Sequence, residues 1–77
     1  MSDLSNDSTR IKKFTVKAYN LKELAAIYNI SKYLMRKRMK RFKSQIGEPD
    51  GYLYQAEQVE LIFGLIRLPS NIRIIKV

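Results

Sequence analysis

The segment Asn29-Ile30-Ser31 constrains the fold of this chain more than any other, because it leaves one residue between the end of one helix and the start of the next. Asparagine tolerates the left-handed conformation that closes many helices, and serine is among the best residues to cap a new one. A first helix is expected from Leu21, because Asn20 can cap it, Glu23 can complete a capping box and Tyr19 can staple onto Leu24. Its buried stripe would be Leu21, Leu24, Ala25 and Tyr28. In the same way Ser31 caps a second helix, with Ile30 stapled onto Met35. Two helices joined so tightly must cross steeply.

The second helix is expected over residues 32–43 or slightly beyond, with Met35, Met39, Phe42 and Ile46 in one narrow stripe and Gly47 as its stop. Seven of the twelve residues from 32 to 43 are basic: Lys32, Arg36, Lys37, Arg38, Lys40, Arg41 and Lys43. The formal net charge is +8, so the rest of the chain is close to neutral and the positive field is local. Tyr33, Arg36, Lys37, Lys40 and Arg41 point away from the apolar stripe, while Arg38 leans toward it. A charge run is often only a solvated face. Such faces normally mix signs, whereas no acidic residue occurs between Glu23 and Glu48. The helix is built to lie against a polyanion.

Elsewhere the pattern is that of one small domain. Residues 1–10 are polar with little to bury and read as a disordered tail, leaving residues 11–77 as a single domain. Residues 13–19 alternate as a strand, with Phe14, Val16 and Ala18 on one face. Residues 47–51 (GEPDG) form the tip of a turn or hairpin, followed by a brief strand at Tyr52, Leu53 and Tyr54. A third helix is expected over about residues 56–66 with two apolar stripes, one of Val59, Ile62, Phe63 and Ile66, the other of Leu61, Leu65 and then Leu68. Residues 71–77 alternate again and can pair with the first strand to cover the second stripe; another subunit is the alternative cover. Tyr19, Tyr28 and Tyr54 sit at element boundaries and read as packing residues.

The absence of cysteine and histidine removes disulfides, thiolate chemistry, the usual zinc ligands and the commonest general base, so no catalytic residue, metal or cofactor is expected. No small-molecule ligand is evident. No apolar run reaches membrane-spanning length, and the start lacks a signal-peptide core, so the expected location is the cytoplasm, on the nucleoid if DNA is the partner.

Helix, tight turn, basic helix, hairpin, helix is the order of a winged helix-turn-helix, a mostly α fold with a small β component. Residues 21–31 (LKELAAIYNIS), continuing through SKYLMR to residue 36, resemble the ELA...G(V/I)S core of MerR-type and excisionase-type DNA-binding domains. Residues 51–59 (GYLYQAEQV) are similar to the wing exit and helix start of the same group. Asn29 stands in place of the usual Gly, and Leu34 in place of a frequent Thr. Too little follows Ile66 for the dimerisation helix of MerR regulators, which favours the excisionase comparison. The resemblance implies that Lys32, Tyr33, Arg36 and Lys37 front the recognition helix, with Arg36 the leading base reader, and that Lys40, Arg41 and Lys43 meet phosphates. Tyr52 would add a backbone contact from the wing, and Lys12, Lys13 and Lys17 others from the first strand. Glu48 and Asp50 in that wing would be repelled by phosphate.

The expected function is sequence-specific binding of double-stranded DNA, as a recombination accessory factor or a small transcriptional regulator, with a homodimer or cooperative assembly on DNA. A protein-interaction adaptor using the Leu61, Leu65 and Leu68 stripe, or an RNA-binding module, are the other readings. A membrane-surface role is disfavoured because the apolar stripe is narrow, lacks Trp and is needed for the core.

Overall fold

A computed structural model of the chain describes residues 11–75. The expected N-terminal tail and Lys76 and Val77 lie outside the described residues. The order is β1 (Lys12–Thr15), β2 (Tyr19–Asn20), α1 (Leu21–Tyr28), α2 (Lys32–Lys40), α3 (Lys43–Ile46), β3 (Leu53–Tyr54), α4 (Ala56–Leu65) and β4 (Ile72–Ile75). The described residues form a small mixed domain with four helical segments and two short two-stranded sheets.

The junction that the sequence marks forms through its own side chains. Asn20 Oδ1 accepts from the Glu23 N–H at 2.8 Å, and Glu23 Oε1 accepts from the Asn20 N–H at 2.9 Å, which completes the capping box of α1. Asn29 ends α1 in the left-handed region at φ 59°, ψ 44°. Its N–H reaches the Ala26 carbonyl and the Ile30 N–H reaches the Ala25 carbonyl, both at 3.0 Å. That pair of bonds is a Schellman closure. Ser31 then caps α2, its hydroxyl accepting from the Leu34 N–H at 3.1 Å.

The core is shared by every helix: Leu24, Ala25, Ile27 and Tyr28 from α1, Met35 and Met39 from α2, Ile46 from α3, and Val59 and Ile62 from α4, with Tyr19, Ile66 and Ile72 closing it. Leu24, Met35, Val59 and Ile62 are wholly excluded from solvent. Ile27 is part of the buried core although the expected stripe omits it, while Leu21 is only half-buried. Tyr28 ties α1 to the end of α4, its hydroxyl donating to the Ile66 carbonyl at 2.7 Å, with the Ile62 carbonyl at 3.3 Å. Its ring lies 6.3 Å from that of Phe63. Among the described residues no helix is long and apolar enough to cross a membrane.

Five expectations change. The strand of residues 13–19 is two strands. β1 ends at Thr15, the chain bends at Val16 and Lys17, and β2 leaves for a different sheet, where Tyr19 lies opposite Tyr54 and Asn20 opposite Leu53 in antiparallel register. The Tyr19 hydroxyl holds the bend by donating to the Thr15 carbonyl at 2.8 Å. β1 does pair with the C-terminal strand, in parallel, Phe14 opposite Ile74 and Lys12 opposite Ile72.

The long second helix stops at Lys40 and a separate short helix follows, so the described residues hold four helices where three were expected. The Phe42 N–H bonds to the Met39 carbonyl in a tightened turn, Phe42 departs to φ −116°, ψ 21°, and α3 restarts at Lys43. Lys37, Arg38 and Lys40 crowd the last turn of α2, where positive charge favours a helix end. The break still delivers Ile46 to the core.

The expected hairpin is a single tight turn. Asp50 and Leu53 exchange both backbone bonds, at 2.8 and 3.1 Å, so Gly51 and Tyr52 form the tip and Tyr52 is not in a strand. Gly51 has φ +67°, a conformation a side chain resists. The strand that β3 pairs with is the distant β2, not a segment immediately before the turn. α4 ends at Leu65, with Ile66 already extended. Finally, Leu65 and Leu68 pack against the core while Leu61 remains 44% exposed, so the second stripe is not a continuous outer face.

Burial holds the Tyr28 hydroxyl well above the ordinary tyrosine range, the nearby Arg38 charge opposing the rise only in part. The folded state therefore retains this proton at a pH where the unfolded chain, titrating near pH 10, has lost it. Stability is fully present below about pH 10 and declines above it. Denaturant midpoints are expected to fall between about pH 9 and about pH 11, and the fall should shrink in Tyr28→Phe. At neutral pH the same substitution should cost about 1–2 kcal/mol by removing the donor to the end of α4. An unchanged midpoint at neutral pH would show that the tie contributes nothing.

Candidate nucleic-acid interface

The α2 helix has two opposite faces because its apolar residues recur at i and i+4. Met35 and Met39 enter the core, 0% and 6% exposed, and Leu34 is half-buried. Lys32, Tyr33, Arg36, Lys37, Arg38 and Lys40 are exposed, as is Arg41 just beyond the helix. Arg38, expected to lean inward, is exposed too, although its charge reaches Tyr28. At 100° per residue, Lys37 falls directly opposite the Met35 and Met39 stripe, with Tyr33 beside it, and Lys32, Arg36 and Lys40 form one flank. Tyr33 is 70% exposed.

That flank borders a groove of about 540 Å³ between α2, α3 and the 47–52 turn. Arg36, Lys40 and Lys43 line it on the helical side, Glu48, Tyr52 and Tyr54 on the other, over a floor that includes Met39 and Ile46. The groove thus brings together Arg36, Lys40, Lys43 and Tyr52 of the expected site; Lys32, Tyr33, Lys37 and Arg41 do not line it. Lys12 and Lys13 are exposed on β1, away from these elements in the pairing scheme, and Lys17 stands 5.4 Å over the Tyr19 ring.

Two residues absent from the expected site shape the groove. Gln58 accepts from the Gln55 N–H at 2.9 Å, and its amide donates to the Ile46 carbonyl at 3.0 Å and to the Glu48 carbonyl at 2.8 Å. One side chain thereby joins the start of α4 to the end of α3 and to the turn. Gly47 takes the chain through this point at φ +83°, a conformation a side chain resists, while a Cβ there would make only ordinary contact, 3.5 Å, with the Gln58 amide nitrogen. Tyr54, taken from the sequence as a packing residue, lines the groove wall. Burial and the Glu48 carboxylate raise its hydroxyl above the ordinary range, against the lowering influence of Arg36 and Lys43. It therefore remains a protonated donor at neutral pH.

The acidic turn is partly neutralised from within. Lys43 Nζ lies 3.0 Å from Glu48 Oε2, with both side chains about 70% exposed, so the pair adds little stability but cancels charge locally. Lys43 is correspondingly less available to an outside anion than Arg36 or Lys40. Only the Gly and Pro of the turn were visible as sequence signals; the clamp from Gln58 depends on a contact ten and twelve residues back along the chain.

No protein-family model, curated protein or solved structure matches the chain. What the surface can bind is therefore argued from its chemistry.

Replacing Gln58 by Ala is expected to free the turn from α4. Amide hydrogen exchange at residues 47–52 should accelerate at least about tenfold, with a global loss of about 1–2 kcal/mol. Equal exchange in both proteins would mean that the turn is held by other contacts.

Proposed function

We propose that this chain is a winged helix-turn-helix protein that binds double-stranded DNA sequence-specifically, with α2 as its recognition helix and the 47–52 turn as a short wing. The observation that carries the reading is the exposure of Lys32, Arg36, Lys37, Lys40 and Arg41 around a helix segment whose opposite face, Met35 and Met39, is locked in the core. A helix so anchored presents its cations in a fixed arrangement. An α-helix with its side chains is about 10–12 Å across, and the B-DNA major groove is about 12 Å wide and accepts one. The tight connection between α1 and α2, closed at Asn29 and restarted at Ser31, suits a helix-turn-helix in which the first helix crosses the backbone.

The protein would act by occupying or shaping DNA, as an excisionase-like recombination accessory factor or a small transcriptional regulator, with no catalytic step. One short recognition helix buries little surface, so tight binding requires a dimer or cooperation between copies on neighbouring sites. The adaptor reading loses support because Leu65 and Leu68 are engaged in the core and only Leu61 of its stripe is exposed.

Anisotropy titrations of labelled duplex pools between about 50 and 200 mM salt test the proposal directly. Four to five cations neutralising phosphates predict a log–log slope of roughly −3.6 to −4.5, at about −0.9 per neutralised phosphate, and weaker binding to RNA of equal length. A flat salt response, or preference for RNA, would contradict it.

A further inference from the structure

We infer that the groove between α2 and the 47–52 turn seats one phosphate of the DNA backbone, and that Arg36 is a phosphate ligand there rather than the base reader its sequence position suggests. The inference rests on the DNA-binding reading and adds a division of labour to it. Arg36 and Lys40 are four residues apart on one helix, so their side chains stand next to each other along the same flank. Both line the groove, and Arg36 is close enough to Tyr54 for its charge to act on the phenol. A guanidinium, an ammonium and a phenol O–H converging on one cleft form a donor set suited to a tetrahedral anion. A base edge offers acceptors in a plane, and is approached from the middle of the exposed face.

The other charges in the groove leave room for one such anion. Lys43 is spoken for by Glu48 at 3.0 Å, so the uncompensated cations are Arg36 and Lys40, against the single charge of a phosphodiester. The far wall is fixed in advance, because Gln58 holds the Glu48 carbonyl and the end of α3. The middle of the outward face belongs instead to Lys37 and Tyr33, opposite the Met35 and Met39 stripe. Those two side chains, not Arg36, are the ones placed to meet base edges. Glu48 faces the same groove and holds the affinity of the site down.

The test combines single methylphosphonate substitutions, each removing one backbone charge, with a randomised duplex pool that reports base preference. Wild type should lose about tenfold in affinity at one neutralised position per site, the size of one charge-assisted hydrogen bond. R36A should bind every duplex about tenfold more weakly with unchanged preference, and should show no further loss at that position. Y54F should show the same pattern to a smaller degree, and K37A should alter the preference. E48Q should tighten binding to all duplexes and steepen the salt slope by about 1. Arg36 and Glu48 are exposed, so circular dichroism of these variants should match wild type. A changed base preference in R36A that keeps full sensitivity to the neutralised phosphate would overturn the inference while leaving DNA binding intact. Absence of duplex binding by wild type would overturn both.

Discussion

The anchoring of Met35 and Met39 in the core is the constraint on which the rest depends. A helix bearing cations on most of its surface has little reason to stay folded or oriented by itself, since like charges repel and nine residues are too few for an isolated helix. Two methionines, four residues apart and almost fully buried, supply the missing grip. They also set rotation: once that stripe faces inward, Lys37 and Tyr33 must face outward and Arg36 and Lys40 must face the turn. The charged surface is therefore a consequence of packing, because the core sets which way each of its residues leaves the helix.

The turn is the second half of the same design. It comes after a helix of one turn and would otherwise be loose, yet Gln58 secures it from α4 and the Asp50 and Leu53 backbones close its tip. The start of α1, the helices α2 and α3, the turn and Tyr54 of β3 thus share one boundary, the groove, with α4 holding the turn from behind through Gln58. Its acidic residue is answered by Lys43 from across the cleft. In a domain this small, such polar ties matter because the core can supply only modest stability. The β1–β4 pair closes the remaining side by joining the two ends of the described chain in parallel.

Local signals were read correctly from sequence where the physics is local. Asn20 with Glu23, Asn29 in the left-handed region and Ser31 ahead of α2 each satisfy backbone groups within a few residues, so residue identity alone marks them. The register of Met35 and Met39 follows from helical periodicity in the same way. What was not legible depends on distant partners. The break at Arg41 and Phe42 does not disturb the apolar stripe, so periodicity runs across it unchanged. The division of residues 13–19 follows from two different strands claiming its two ends, about sixty and about thirty-five residues away. Tyr52 sits at a turn tip because Asp50 pairs with Leu53, a two-residue shift of the expected turn. Gln58 and Tyr54 lie inside the stretch that resembles a wing exit and helix start, yet that pattern gave them no role here; only the folded arrangement brings Tyr54 to the groove wall and Gln58 to the turn behind it.

The central claim is that one face of one helix, with the turn beside it, meets the DNA duplex. Mapping amide chemical-shift changes on titration with a duplex that the protein selects from a random pool tests this most directly. The account predicts that the largest changes fall within residues 32–41 and 47–54, with Leu61, Ile75 and the rest of the β1–β4 side little affected. Changes centred on Leu61 and the β1–β4 edge, with the α2 amides undisturbed, would contradict it.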